Sequence, residues 1–261
     1  IARPNLATLA ASALYVGDLT DIDPGFKGSG VLISQGPVAA TLVQVPQSTT
    51  VKNRPLSNGF DSGANFVLIP TVLKGTFSTN TIFTVQNVGA AATDVTVTFV
   101  PVSGSPVDVT IDDLPMGAAK YFDMGADVIA GIGSTFNGAV KLQAAAGGLL
   151  VASAIELQTT GSNTYAFEGV NQGSATVYMP SSLCKFNGVI DASYAIQNSG
   201  VADLTDVQIV FTSSVSSFTK TYHLGALTAG AKVGFNNCGP ASDPMPQPFV
   251  GSAVITATGG A

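Results

Sequence analysis

The chain has 261 residues, with 10 Lys and Arg against 16 Asp and Glu, a net charge of −6 and a pI near 4.5. Arg3 and Arg54 are its only arginines, so it has no basic stripe to neutralise phosphates, which argues against nucleic acid and anionic membrane surfaces as partners. Charged residues make up 10% and hydrophobic residues 46%, against about 25% charge in typical soluble domains; with so little repulsion between copies, the composition favours a polymer or lattice over a dilute enzyme.

The first apolar run is Leu6-Ala7-Thr8-Leu9-Ala10-Ala11-Ser12-Ala13-Leu14-Tyr15-Val16. It has no Lys-rich lead and falls short of the roughly 18–20 residues that span a bilayer, so a strand is expected here rather than a signal h-region, with Ile1 a processed terminus. No transmembrane segment is expected anywhere. Asp18, Asp21 and Asp23 then place three carboxylates within a short loop. They supply oxygens for a calcium site if backbone carbonyls complete it, but they lack EF-hand spacing, and a solvated turn is the alternative. No other cofactor is expected.

Next comes Phe26-Lys27-Gly28-Ser29, which returns as Phe136-Asn137-Gly138-Ala139 and as Phe249-Val250-Gly251-Ser252, at steps of 110 and 113 residues. A strand-like run follows the first copy (Pro37 to Val43) and the second (Leu150 to Glu156); after the third the sequence given stops before one. Between these landmarks, Phe66-Val67-Leu68-Ile69-Pro70 matches Thr176-Val177-Tyr178-Met179-Pro180, Val85-Gln86-Asn87-Val88-Gly89 matches Ile196-Gln197-Asn198-Ser199-Gly200, and Thr93-Asp94-Val95-Thr96-Val97-Thr98-Phe99 matches Thr205-Asp206-Val207-Gln208-Ile209-Val210-Phe211. A period of this size indicates tandem domains rather than a solenoid.

Alternation puts Val95, Val97 and Phe99 on one face of a half-buried strand, and Val107-Asp108-Val109-Thr110-Ile111 repeats the pattern after the Ser103-Gly104-Ser105-Pro106 turn, making a hairpin. Further strands are expected near 66–73, 81–87, 118–123, 137–144 and 149–157. About seven strands in about 105 residues without a helical period match an immunoglobulin-like sandwich. The alternative is one jelly roll over the whole chain, against which the internal repeat counts. Gly-containing polar stretches at 58–63 and 169–174 mark boundaries. The expected fold is all-β: residues 1–60 an incomplete N-terminal module, 61–172 one immunoglobulin-like sandwich, and 173–261 a second that lacks its last strand.

Cys184 and Cys238 fall in loops at one end of the last module, so a disulfide is expected; two free thiols in a reducing compartment are the alternative. His223, the one histidine, sits in a strand-like stretch without the context of a nucleophilic mechanism, and Glu156 and Glu168 are the only glutamates. No catalytic constellation is expected. Asn-x-Ser/Thr is absent from the sequence, so N-glycosylation is not expected, while O-linked sugar stays open.

Taken together, strand-Pro, Val85-Gln86-Asn87-Val88-Gly89, the Thr-x-Val-x-Val/Ile-x-Phe strand, Leu114-Pro115-Met116-Gly117-Ala118-Ala119 and Phe-x-Gly-Ser/Ala resemble the immunoglobulin-like repeats of large secreted surface proteins in filamentous bacteria. The resemblance covers most of residues 14–261, and its motifs are turn and core signatures without chemistry. It implies an extracellular or cell-surface structural or adhesive role and brings no catalytic residues. The offset ends are similar in logic to donor-strand assembly in pili.

A structural subunit of an extracellular filament, sheath or surface layer is therefore expected, polymerising head to tail with copies of itself by strand complementation. Leu6, Leu9, Leu14 and Val16 are the expected donor residues, and Phe249, Val254 and Ile255 the acceptor edge. The N-terminal segment could instead fill its own chain's groove. A monomeric adhesin or carbohydrate-binding module in contact with glycans or a cell surface is the second reading; the absence of Trp weakens it.

Overall fold

A computed structural model describes residues 6–8, 10–23, 25–46, 51, 53–161 and 163–259. Among them the only helical piece is a single 3₁₀ turn, Val16–Asp18, and the rest of the regular structure is antiparallel β. None of the described helices is long and apolar enough to cross a membrane.

The sequence first forms a small hairpin, β1 (Thr41–Val43) with β2 (Leu56–Asn58). Eight strands follow: β3 (Phe66–Lys74), β4 (Thr79–Asn87), β5 (Thr93–Pro101), β6 (Val107–Leu114), β7 (Ala119–Asp123), β8 (Phe136–Ala144), β9 (Leu150–Gln158) and β10 (Thr164–Glu168). They build two four-stranded sheets, ordered β3-β8-β5-β6 and β10-β9-β4-β7. Alternation drives the burial: Val95, Val97 and Phe99 turn inward while Asp94, Thr96 and Thr98 turn out. The two inner faces meet in one cluster that includes Ile69, Phe83, Val97, Phe99, Leu142 and Ala152, a sandwich-like arrangement.

The remaining strands are β11 (Thr176–Cys184), β12 (Ser193–Gln197), β13 (Leu204–Ser213), β14 (Thr219–His223), β15 (Lys232–Asn236) and β16 (Phe249–Gly259). One sheet is ordered β11-β16-β13-β14, the same sequence of strands as β3-β8-β5-β6, and the other has two strands, β12-β15. Their core gathers Cys184, Tyr194, Ile209, Phe211, Phe249 and Ile255. Equivalent rings pack alike: Phe99 lies edge-on to Phe136 at 5.9 Å and 87°, and Phe211 edge-on to Phe249 at 6.0 Å and 88°.

The Phe-x-Gly motif has a physical reason. A Cβ on Gly138 would fall 2.3 Å from Val100 O, and one on Gly251 would fall 2.1 Å from Thr212 O, so only glycine lets β8 and β16 lie against β5 and β13 there. Pro70 and Pro180 sit at register shifts of the edge strands β3 and β11, where a missing N–H is tolerated.

The described residues of the Leu6-to-Val16 run form no strand. Its described residues lead into the 3₁₀ turn, and Leu6, Leu14 and Val16 are exposed. A lone extended segment has no ladder to satisfy its backbone, and apolar composition alone does not supply one. Leu9 lies outside the described residues.

Candidate assembly edge

Antiparallel strands alternate residues whose N–H and C=O point at the partner with residues that point away. In the first sandwich, Val88 N donates to Leu149 O at 2.8 Å; Gln86, Thr84 and Ile82 therefore face β9, paired with Val151, Ser153 and Ile155. In the second unit the bond from Asn198 N to Ala231 O at 2.9 Å sets the parity. Tyr194 and Ile196 face β15, whereas Ser193, Ala195 and Gln197 point their backbone groups away from it. Gln197 pairs with Lys232 just as Gln86 pairs with Ala119, so β12 stands where β4 stands. Among the described residues no strand is hydrogen-bonded to β12 on the flank that β9 holds in the first sandwich, although β3 passes close to β12.

The expected acceptor edge needs correction. Phe249, Val254 and Ile255 lie in β16, which is bonded to β11 on one side and β13 on the other, with Tyr178, Val254 and Val210 in register. A strand paired on both flanks accepts nothing. The last strand lies inside its sheet, and the unpaired flank belongs to the other sheet, whose outer strand β12 is earlier in the chain.

Among the described residues, Ala39, Thr41 and Val43 of the β1 segment also have no strand partner on their outer side. Gly59 N donates to Ala40 O and Gln44 N to Pro55 O, so Ala40, Leu42 and Gln44 face β2, and Ala39, Thr41 and Val43 face away. The hairpin rests beside β10 through Asn58 N donating to Glu168 Oε1 (2.6 Å) and Asn53 Nδ2 donating to Thr164 O (3.3 Å). The bond from Gly59 to Ala40 reproduces that from Gly169 N to Ala152 O. Val38 to Gln44 therefore match Leu150 to Glu156, one residue out of phase with the match read from sequence.

Where the two units meet, Lys232 Nζ on β15 donates to Thr71 Oγ1 on β3 at 2.9 Å, and Thr71 Oγ1 donates to Glu156 Oε1 on β9 at 3.0 Å. Lys232 is only 8% exposed. Burial lowers its ammonium to about 8, against the opposing pull of Glu156. Burial likewise raises the Glu156 carboxyl, opposed by the Thr71 hydroxyl and the Lys232 charge.

Cys184 and Cys238 form a disulfide with Cα atoms 4.9 Å apart. His223 is an exposed strand histidine whose Nδ1 lies 2.6 Å from Asp206 Oδ2. Asp18, Asp21 and Asp23 are not drawn together: among the described residues the one group within metal-binding reach is Asp191 with the two disulfide sulfurs, whose lone pairs make poor ligands for a cation. Two open surface clefts are lined, one by Asp94, Asp113 and Gly148 and the other by Thr76, Val102 and Asn137. No family model matches the chain, and no curated protein or solved structure is significantly similar to it.

Proposed function

We propose that this protein is a structural subunit of an extracellular filament, sheath or surface layer, built from immunoglobulin-like modules and joined to further copies by β-strand complementation at β12. The observation that carries this reading is the outward row of Ser193, Ala195 and Gln197 backbone groups, whose counterparts Ile82, Thr84 and Gln86 are all paired to β9 in the first sandwich. An unpaired edge beside an apolar core is a template for another strand. The resemblance to secreted surface repeats, the low charge and the disulfide support an extracellular setting.

Ala195→Pro tests it. The substitution removes an N–H that points away from β15 and leaves the β12-β15 ladder its bonds, and proline is tolerated at such edge positions. Negative-stain microscopy of the wild-type protein should show filaments or sheets, and the variant should be monomeric with an unchanged far-UV spectrum. Single particles of one chain's size in the wild type would overturn the reading and favour a monomeric adhesin.

A further inference from the structure

We infer that the strand received by β12 is β1 of a second copy, docking antiparallel with Ala195 opposite Thr41. The inference rests on the assembly reading above and names its donor, which is neither the Leu6-to-Val16 run nor any part of β16.

The two open edges fit each other. Transferring the β4–β9 register, in which Gln86 pairs with Val151, Thr84 with Ser153 and Ile82 with Ile155, places Gln197 opposite Ala39, Ala195 opposite Thr41 and Ser193 opposite Val43. These are the residues on each strand whose N–H and C=O lack a strand partner among the described residues. The side chains then fall on the correct faces. Leu150, Ala152 and Ala154 of β9 are buried in the first core, and their counterparts are Val38, Ala40 and Leu42. Val38 and Leu42 are 53% and 51% exposed, an apolar face that the described residues cover only in part. In the proposed register Leu42 lies against Tyr194 and Ala40 against Ile196, side chains that line the second core.

The β1 received is that of a second copy rather than the chain's own. The hairpin of each chain is held to its own first sandwich by Asn58 to Glu168 and Asn53 to Thr164, and in that position β1 makes no ladder with β12. One copy's β12 and the next copy's β1 are different surfaces, so the contact is heterologous and propagates unless a rotation closes a ring. In the completed sheet the order would be β2-β1-β12-β15, the counterpart of β10-β9-β4-β7.

Cysteine pairing in the full chain tests donor and register together. Opposed Cα atoms in such a ladder lie about 5.5 Å apart, within disulfide range. The double variant Thr41→Cys with Ala195→Cys should give, on non-reducing gels, a ladder in steps of one chain, collapsed by reductant. Leu42→Cys with Ala195→Cys should give at least tenfold less, because a one-residue slip turns the sulfur to the other face. Leu42→Asp, at a position exposed in the single chain, should abolish assembly without altering the far-UV spectrum.

Four results would overturn the inference. They are a cross-linked species that stays the size of one chain, dimers from Ala195→Cys alone that match the double variant, a ladder obtained only from Leu14→Cys with Ala195→Cys, and assembly that survives Leu42→Asp. The third and fourth leave strand complementation at β12 standing with another donor. A wild-type protein that never assembles removes both.

Discussion

Asn198 makes the same three hydrogen bonds as Asn87. Asn87 Nδ2 donates to Ala91 O and Leu114 O and its Oδ1 accepts from Gly89 N; Asn198 Nδ2 donates to Ala202 O and Leu227 O and its Oδ1 accepts from Gly200 N. The glutamine before each also acts alike: Gln86 Nε2 donates to Gly117 O and Gln197 Nε2 to Gly230 O. Gln-Asn-x-Gly is thus a clamp on two turns, and both Gly117 and Gly230 take positive φ to meet it.

Both asparagines are buried, so Asn198→Ala strands polar groups away from water at about 1–3 kcal/mol each. The expected loss is about 2–4 kcal/mol in urea unfolding, concentrated in the second unit, and Asn87→Ala should act equally on the first. Asn198→Asp keeps the acceptor for Gly200 but loses both donors, so it should recover only a minor part. A loss below about 0.5 kcal/mol for either alanine variant would show that water replaces the clamp.

Lys232 gives a pH prediction. Its pKa in the folded chain is lowered to about 8 from 10.5, so between those values the unfolded chain binds more protons than the folded one, and this contribution to stability increases as pH rises. Tyrosines whose phenols are raised by burial, Tyr121 and Tyr222, act in the opposite direction above pH 10 and cancel in a comparison with Lys232→Met. The stability of wild type minus that of Lys232→Met should rise by about 1–3 kcal/mol from pH 7 to pH 10. A flat difference would mean that the ammonium is hydrated at the junction.

Much of this arrangement was legible in the sequence. Strands with strict alternation, such as Thr93–Pro101, emerged within a residue or two of expectation because one face of each is buried. The disulfide followed from topology. What alternation does not carry is which strand is left at an edge, since β16 and β12 both alternate and only pairing separates them. Lys232 also escaped notice: a lysine in a strand reads as solvated, and its burial depends on Thr71, 161 residues away. The one-residue offset between β1 and β9 was hidden because both runs are small and apolar, and a hydrogen bond, Gly59 to Ala40, is needed to fix the frame.

The three Phe-x-Gly copies should respond differently to alanine. At Gly138 and Gly251 the new Cβ meets a backbone carbonyl of the neighbouring strand, which yields only by moving the sheet. Gly138→Ala and Gly251→Ala should each cost about 1–3 kcal/mol or more. At Gly28 the three atoms nearest the new Cβ all belong to the Phe26 ring, whose far edge is free to turn, and Phe26 is exposed. Gly28→Ala should be within about 0.5 kcal/mol of wild type by thermal or urea unfolding. A cost at Gly28 comparable to the others would mean that this copy too lies against a strand in the assembled state, and comparing monomeric with assembled protein would reveal it.

Reduction should divide the molecule. Cys184 and Cys238, 54 residues apart, tie the end of β11 to the loop after β15, and a closed loop of that size stabilises by about 4 kcal/mol in the chain-entropy model. The corresponding tie in the first sandwich is a single hydrogen bond from Lys74 Nζ to Asp127 O at 2.9 Å, which reductant does not touch. The second unit's smaller sheet has only two described strands, so it depends more on the covalent link. With dithiothreitol, amides of β13 such as Val207 and Ile209 should lose hydrogen-exchange protection while Val95 and Val97 of β5 keep theirs, and Cys184→Ser with Cys238→Ser should reproduce the pattern. Equal loss in β5 and β13 would instead show that the Lys232–Thr71–Glu156 junction couples the two units into one cooperative whole. In assembled protein the same treatment should do less, because a strand received at β12 stabilises the folded state by mass action.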